Sequence, residues 1–189
     1  MKIISGKLKG RVIKGFDIDG TRPTMDRVKE SLFSSIQNYI PDSVCLDLFS
    51  GSGNLGFEAL SNNAKYCYFN DKNFKCTNLI NKYINEFELD GSSTVTNMDY
   101  KKALDYYKEN NIKFDVVFLD PPYKFQELDK IVNYLHENNM LNKDSIVILE
   151  SSNIYFKFDY YSLIKEKKYG DKYISIYKNN LWLIVYNIV

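Results

Sequence analysis

The chain has 189 residues, of which 44% are hydrophobic, and a formal net charge of +1. This length fits one compact domain with a small addition rather than two full domains, and the apolar content is sufficient for a core. The near-neutral charge is not that of a protein that binds polyanions through its overall charge. No apolar run is long enough to span a membrane and no secretion signal is recognised, so we expect a cytoplasmic protein without a membrane partner.

The cysteines and the histidine predict packing rather than chemistry. Cys45 and Cys67 fall in apparent strands and, with Cys76, show no CxxC spacing, so we predict core thiols and no disulfide framework. His136 lies in an amphipathic stretch, where a packing role is favoured, and a single histidine excludes a histidine-based metal cluster. We therefore predict no metal site.

The amino-terminal region is basic. Residues 2–14 alternate loosely around Gly6 and Gly10, which predicts a β-hairpin, and residues 1–14 contain no acid. This pattern indicates a face that binds phosphate, although a solvated basic face is the alternative. The cations of this region are Lys2, Lys7, Lys9, Arg11, Lys14, Arg22, Arg27 and Lys29.

A helix is predicted after this basic region. Apolar residues recur at helical spacing between positions 28 and 39, and Asp26 lies in the first turn, where the helix dipole favours an acid. Pro41 predicts the end of this helix. Residues 1–40 are thus expected to form a hairpin and a helix that precede the main domain, residues 41–189, in one compact unit.

Strands and helices then alternate. Predicted strands cover 44–49, 66–69, 94–96, 114–119 and 145–149, and predicted helices cover 55–60, 74–87, 100–110 and 126–139. Such alternation predicts a parallel sheet with right-handed crossovers. Two further strands, at 160–168 and 172–177, have no helix between them and predict an antiparallel hairpin at one sheet edge. Residues 181–186 read as another strand or a buried tail.

The most informative segment is Asp120-Pro121-Pro122-Tyr123, which follows the buried strand at 114–119. Two prolines remove N–H donors and stop the strand, leaving free carbonyl acceptors beside an acid and an aromatic ring. These groups suit a planar ligand that bears an exocyclic amine. The alternative is a simple strand-ending turn.

A glycine-rich loop follows the first sheet strand and suggests a cofactor. Gly51, Gly53 and Gly56 match the GxGxxG dinucleotide fingerprint. Asp47, however, would repel a pyrophosphate and would suit a cationic ligand such as S-adenosylmethionine (SAM). Asp71 ends the next strand, where an acid commonly binds a ribose diol under either cofactor.

Two further acids have open interpretations. Asp99 follows the weak third strand and could meet an adenine amino group, or it could simply cap a helix. Glu58 is interpreted as a charged helix residue that pairs with a nearby backbone group or base.

These segments resemble the RsmD-type methyltransferases, which methylate the exocyclic N2 of a guanine in bacterial small-subunit rRNA. The resemblance covers about residues 2–178 and implies a Rossmann-like, SAM-dependent methyltransferase fold with a mostly parallel seven-stranded sheet and an antiparallel carboxyl-terminal hairpin. It is carried by residues 3–11, 21–33, 47–60, 120–123 and 168–171.

The resemblance implies roles for individual residues. Asp120, Pro121, Pro122 and Tyr123 would form the catalytic corner. The cofactor residues would be Asp47, Phe49, Gly51, Ser52, Gly53, Asp71, Lys72 and Asp99. The RNA-binding residues would be Lys7, Lys9, Arg11, Arg22, Thr24 and Arg27, although Arg22 and Thr24 could instead border the active site.

Three other functions remain open from the sequence. One is an amino methyltransferase that acts on DNA adenine or cytosine or on a protein glutamine. Another is a SAM-binding ribosome assembly factor without catalysis, and a third is a nicotinamide oxidoreductase. With no obvious apolar seam, we expect a monomer that acts on rRNA in the small ribosomal subunit.

Overall fold

A computed structural model describes residues 1–14, 23–122, 125–152 and 156–180, with the side chains of 23–25 also left out. The helices are α1 (Pro23–Ile36), α2 (Asn54–Ser61), α3 (Phe74–Glu86), α4 (Tyr100–Glu109) and α5 (Leu128–Glu137). The strands are β1 (Val44–Asp47), β2 (Tyr66–Asn70), β3 (Ser93–Thr96), β4 (Phe114–Leu119), β5 (Leu141–Ser151), β6 (Tyr161–Tyr169) and β7 (Lys172–Asn179). None of the described helices combines the length and apolar character needed to cross a membrane.

The strands of the described residues form one sheet with the order β3-β2-β1-β4-β5-β7-β6. The first five run parallel, whereas β7 is antiparallel to both β5 and β6. The chain winds outward from β1 in one direction and from β4 in the other. A crevice therefore lies outside the carboxyl ends of β1 and β4, where ligands bind in open α/β sheets. The predicted seven-stranded fold is confirmed.

Two apolar layers bury the sheet. One cluster joins α1, α2 and α3 to one face, and the other joins α4 and α5 to the opposite face. Phe33 of α1 stacks on Phe118 of β4 with ring centroids 5.9 Å apart. The first helix is therefore part of the main core.

The amino-terminal segment packs on α2. Its predicted hairpin is present as a chain reversal with a single isolated antiparallel bridge, between Lys2 and Val12. Gly6 has a φ of +71°, and a Cβ there would lie 1.9 Å from the Ser61 carbonyl oxygen. The backbone N–H of Lys7 donates to that same oxygen at 2.8 Å. Only glycine fits this close approach between the segment and the end of α2.

Two predicted boundaries differ from the structure by about one helical turn or four strand residues, and the others by at most two residues. Helix α1 ends at Ile36, before Pro41, because the Tyr39 N–H bonds back to the Ile36 carbonyl and the chain turns to bury Ile40. Strand β5 begins four residues earlier than expected, at Leu141, which pairs with Phe114 across a register shift. Residues 181–186 lie outside the described residues.

Candidate active site

Acids follow the carboxyl ends of the parallel strands. Asp47 ends β1, and Asp71 comes directly after β2. Asp120 comes directly after β4, and Glu150 lies near the end of β5. Because parallel strands end at one sheet edge, these carboxyl groups line the crevice. The described residues contain no group of His, Cys, Asp or Glu side chains that could hold a metal ion.

The glycine loop enters α2 through two left-handed residues. Gly51 has a φ of +53° and Gly53 a φ of +78°. A Cβ at Gly51 would meet nothing within 4 Å, so the backbone here faces open space. A Cβ at Gly53 would lie 2.7 Å from the Phe57 ring, so this glycine serves packing. The loop thus leaves room for a ligand above Gly51.

Asp47 supports this loop from below. It is buried, and its Oδ2 accepts a hydrogen bond from the Gly56 N–H at 3.0 Å. Burial raises the pKa of Asp47 to about 7; the Gly56 N–H opposes this rise, and the nearby Asp71 carboxylate adds to it. A cationic ligand would favour the ionised form of such a group.

Asp71 and Asn70 fix the loop to the second strand. One oxygen of Asp71 accepts from the Gly51 N–H at 2.9 Å, and the other accepts from the Asn73 N–H at 2.8 Å. The buried Asn70 amide donates to the carbonyls of Leu48 and Met98, at 3.1 and 3.2 Å. Asn70 therefore joins the loops after β1 and β3, a role that the sequence analysis missed.

The remaining predicted cofactor residues surround the loop. Phe49 is half-buried between Tyr100 and Phe125, with ring centroids 5.6 and 5.1 Å away. The Ser52 hydroxyl donates to the Met1 sulfur at 3.3 Å, and Lys72 is exposed. Asp99 is the N-cap of α4, where it accepts from the Lys101 N–H at 3.0 Å.

The Asp-Pro-Pro corner terminates β4 as predicted. Pro121 is half-buried and Pro122 exposed, and the Pro122 carbonyl accepts from the Phe125 N–H at 2.9 Å. Asp120 as a whole residue is half-buried. The pKa of its carboxyl group is raised to about 8, and burial of that group is the main cause. Tyr123 lies outside the described residues.

Glu150 and Lys172 are additional charged groups at this corner. The register that pairs Leu119 with Leu149 places Glu150 beside Asp120, and the Glu150 carboxyl group adds to the rise in the pKa of Asp120. Glu150 also forms an ion pair with Lys172 of β7. The sequence analysis missed both, although an acid that ends an apolar strand was the signal that identified Asp120.

The basic amino-terminal residues divide into two groups. Lys7, Lys9 and Arg11 are exposed, with the Arg11 guanidinium 5.7 Å from the Phe87 ring centroid. Arg27 is exposed on α1. Lys29, expected on the same basic face, is only 3% exposed, so that part of the prediction was wrong. Arg22 and the side chain of Thr24 lie outside the described residues.

Lys29 is buried because it pairs with Glu58. Its Nζ lies 3.0 Å from Glu58 Oε2 and donates to the Lys2 carbonyl at 2.6 Å and to Asn54 Oδ1 at 2.8 Å. Glu58 also accepts from the N–H groups of Ile4 and Ser5 and from the Ser5 hydroxyl. We call Lys29 and Glu58 the buried ion pair; it links α1, α2 and the amino-terminal segment.

The sequence contained signals for this pair. Lys29 shares helical spacing with the buried residues Leu32, Phe33 and Ile36, so it lies on the apolar face of α1. Glu58 is the only charged residue of α2, and the other buried residues of that helix are uncharged. A charge at such a position requires a partner, but the pattern does not identify which one.

Comparison with known proteins agrees with this architecture. A family model described as "Conserved hypothetical protein 95" matches residues 1–178. The ribosomal RNA small subunit methyltransferase D of Haemophilus influenzae is 37% identical over 183 residues, which cover 95% of this chain and 94% of that protein.

Two solved structures match nearly the whole chain. The yhhF protein of Escherichia coli has a TM-score of 0.82 at 30% identity, with 95% of this chain and 97% of that one covered. The HI0767 protein of Haemophilus influenzae has a TM-score of 0.77 at 35% identity, with 94% and 97% covered. The fold, the family model and the identity over the full length together show that this chain belongs to the RsmD-type methyltransferase family.

Proposed function

We propose that this protein is a SAM-dependent methyltransferase that methylates the exocyclic N2 amine of a guanine in small-subunit ribosomal RNA. The observation that supports this most is the position of the Asp120 corner beside the glycine loop, on neighbouring strands of one sheet edge. An amine acceptor and a cofactor loop thereby share one crevice. The relative's name, which specifies small-subunit rRNA, supports the substrate class.

The charge of the crevice supports SAM over a dinucleotide. Asp47, Asp71, Asp120 and Glu150 line the edge. The pKa values of Asp47 and Asp120 are raised, but the acids that are ionised would repel a pyrophosphate. SAM, when bound, supplies a methyl group on a cationic sulfur. We propose that it is held by the Gly51 backbone, the acids Asp47 and Asp71, and the residues Phe49, Ser52, Gly53, Lys72 and Asp99.

The corner residues would grip the target base. We propose that Asp120 accepts a hydrogen bond from the amine, that the Pro121 carbonyl accepts a second one, and that Tyr123 stacks on the ring. Base-modifying enzymes commonly extrude their target base into such a pocket. Positioning of the amine would then supply much of the rate.

The exposed cations near the amino terminus would bind RNA phosphate. Lys7, Lys9 and Arg11 are exposed on the amino-terminal segment that packs against α2, and Arg27 is exposed on α1. We propose residues 1–40 as the RNA-binding part and 41–189 as the methyltransferase part of one unit. A monomeric state and a cytoplasmic location stay predictions.

The decisive experiment is transfer of labelled methyl from SAM to small ribosomal subunits that lack this modification. Naked rRNA, duplex DNA and protein are included as rival substrates. We expect label on a single guanine N2 of the subunit rRNA. Label on DNA or protein would contradict rRNA as the substrate. Binding of SAM without any transfer would favour an assembly factor.

A second experiment tests the RNA-binding surface. Reversal of the charges of Lys7, Lys9 and Arg11 should reduce the salt dependence of RNA binding by about 0.7 in log-log slope for each lost phosphate contact. The matched control reverses Lys65, Lys113 and Lys143, exposed lysines at the amino ends of the strands, at the opposite edge of the sheet. An equal slope in both triple variants would contradict this surface.

A further inference from the structure

Asp120, Glu150 and Lys172 form a row across three neighbouring strands. Leu119 of β4 pairs with Leu149 of β5, so the same register brings Asp120 beside Glu150. Residues side by side in a parallel pair point to the same face. The Glu150 carboxyl group adds to the rise in the pKa of Asp120, which indicates that the two groups interact. A carboxylate only accepts hydrogen bonds, so a hydrogen bond between the two groups would require one shared proton.

Lys172 extends the row to β7. Glu150 pairs directly with Ile174 in the antiparallel β5–β7 ladder, and Lys172 lies two residues away on the same face. Such diagonal neighbours are within reach of long side chains, and Lys172 forms an ion pair with Glu150. The pKa of Asp120 is raised far above its ordinary value, mainly by burial. The shared proton is therefore expected on Asp120.

We propose that Glu150 is a positioning residue that shares one proton with Asp120, and that Glu150 and Lys172 together control when Asp120 becomes ionised. This inference rests on the proposed function, because it concerns the acceptor of the target amine. It adds Glu150 of β5 and Lys172 of β7 to the catalytic corner. Neither residue belongs to the Asp-Pro-Pro-Tyr segment.

Methylation of an amine releases a proton, and the state of Asp120 decides whether this residue can accept it. Formation of the N–C bond leaves the C–S electron pair on sulfur, and the nitrogen must then lose one proton. That proton breaks its bond to nitrogen and bonds to an oxygen of Asp120. Asp120 can accept it only when its carboxyl group is ionised, so the proton shared with Glu150 must leave first.

The charges that face Asp120 define the expected pH dependence. Burial raises its pKa most, the Glu150 carboxylate raises it further, Lys172 lowers it, and Asp47 raises it, giving a value of about 8. Below this pH Asp120 is protonated, and above it Asp120 is ionised. Methyl transfer at low substrate, measured as kcat/KM, should therefore rise with pH through about 8.

The first test observes the protonation directly, without cofactor or substrate. Carboxyl carbon NMR of ¹³C-labelled protein, with the Asp120 signal assigned from Asp120→Asn, should show Asp120 titrating far above its ordinary value. Glu150→Gln should lower this titration by about one pH unit or more, a tenfold change in the proton affinity. Titration of Asp120 at its ordinary value, or no response to Glu150→Gln, would overturn the inference whatever the methylation assay shows.

The second test uses two variants with opposite signs. Glu150→Gln removes a negative charge, so the acidic limb of the kcat/KM profile should move to lower pH. Lys172→Met removes a positive charge, so the same limb should move to higher pH, and Lys172→Arg should restore it. A purely structural role for these residues would lower activity at every pH without moving the limb.

The chain offers a matched control for both tests. Asp144 of β5 forms an ion pair with Lys178 of β7 at 2.9 Å, the same kind of bridge between the same strands but at the other end of β5. Asp144→Asn should leave the Asp120 titration and the pH profile unchanged. If the NMR titration behaves as expected and no methyl is transferred to any RNA, the proposed function fails while the shared proton stands.

Discussion

Glu58 and Asp120 are both buried carboxyl groups near a lysine, but their surroundings differ. Glu58 has a direct ion pair with Lys29 and accepts hydrogen bonds from two backbone N–H groups and a hydroxyl. Asp120 instead faces another carboxyl group, Glu150, and Lys172 forms an ion pair with that neighbour. Complete pairing stabilises one arrangement of the chain, whereas incomplete pairing leaves a group able to accept a proton.

The largest expected effect comes from removal of the incompletely paired group. Asp120→Ala should reduce methyl transfer by about 10²- to 10⁴-fold, because the amine loses its acceptor and its proton has no nearby base. SAM affinity should change little. Single-turnover kinetics measure the loss of transfer, and calorimetric titration measures the affinity. Retained turnover would contradict the role of Asp120.

Removal of the fully paired group should act on stability instead. Glu58→Gln leaves the Lys29 ammonium buried without its counter-charge, so the free energy of unfolding should fall by about 3–5 kcal/mol. Urea unfolding measures this loss, and Asp144→Asn, which breaks an exposed pair, should cost less than about 1 kcal/mol. Similar losses in the two variants would mean that the buried pair contributes no more than a surface contact.

Gly56 lies in α2, two residues before Glu58. Alanine normally stabilises a helix interior relative to glycine, but a Cβ at Gly56 would lie 2.2 Å from the Phe69 ring. We expect Gly56→Ala to destabilise the protein by about 1–3 kcal/mol. Gly91, whose Cβ would meet nothing within 4 Å, is the matched control, and Gly91→Ala should not show this loss in the same urea titration.

The last expected effect is a dependence of stability on pH. The pKa of Asp120 is raised to about 8 from an ordinary value of 3.8, so the folded protein retains a proton that the unfolded chain loses. The resulting stabilisation is complete below about pH 4 and is lost as the pH rises to about 8.

Substitution of Asp120 tests this pH dependence. Asp120→Asn should gain stability relative to the unchanged protein between pH 4 and pH 8.5, by about 1.4 kcal/mol for each unit by which the folded-state pKa of Asp120 exceeds its ordinary value. Glu58→Gln should be destabilised at both pH values. Equal stability differences for Asp120→Asn at the two pH values would show that Asp120 ionises normally in the folded chain.

The sequence by itself determined the fold class and most of the site. Apolar runs and glycine turns depend on neighbours within a few residues, so the strand at 114–119 and the loop at 47–53 could be placed from local pattern alone. Because parallel strands align their carboxyl ends, the position of Asp47, Asp71 and Asp120 at one edge followed from the alternation of elements.

Only the tertiary structure decided which charges are paired. Lys29 and Glu58 are separated by 29 positions, and Glu150 and Lys172 by 22, so no local spacing relates the partners. The β5–β7 register and the packing of α1 on α2 bring these groups together. Removal of water strengthens the interaction between Lys29 and Glu58, which is why Lys29 is a structural residue. Glu150 is a partner of the candidate catalytic acid because the sheet register places the two side by side.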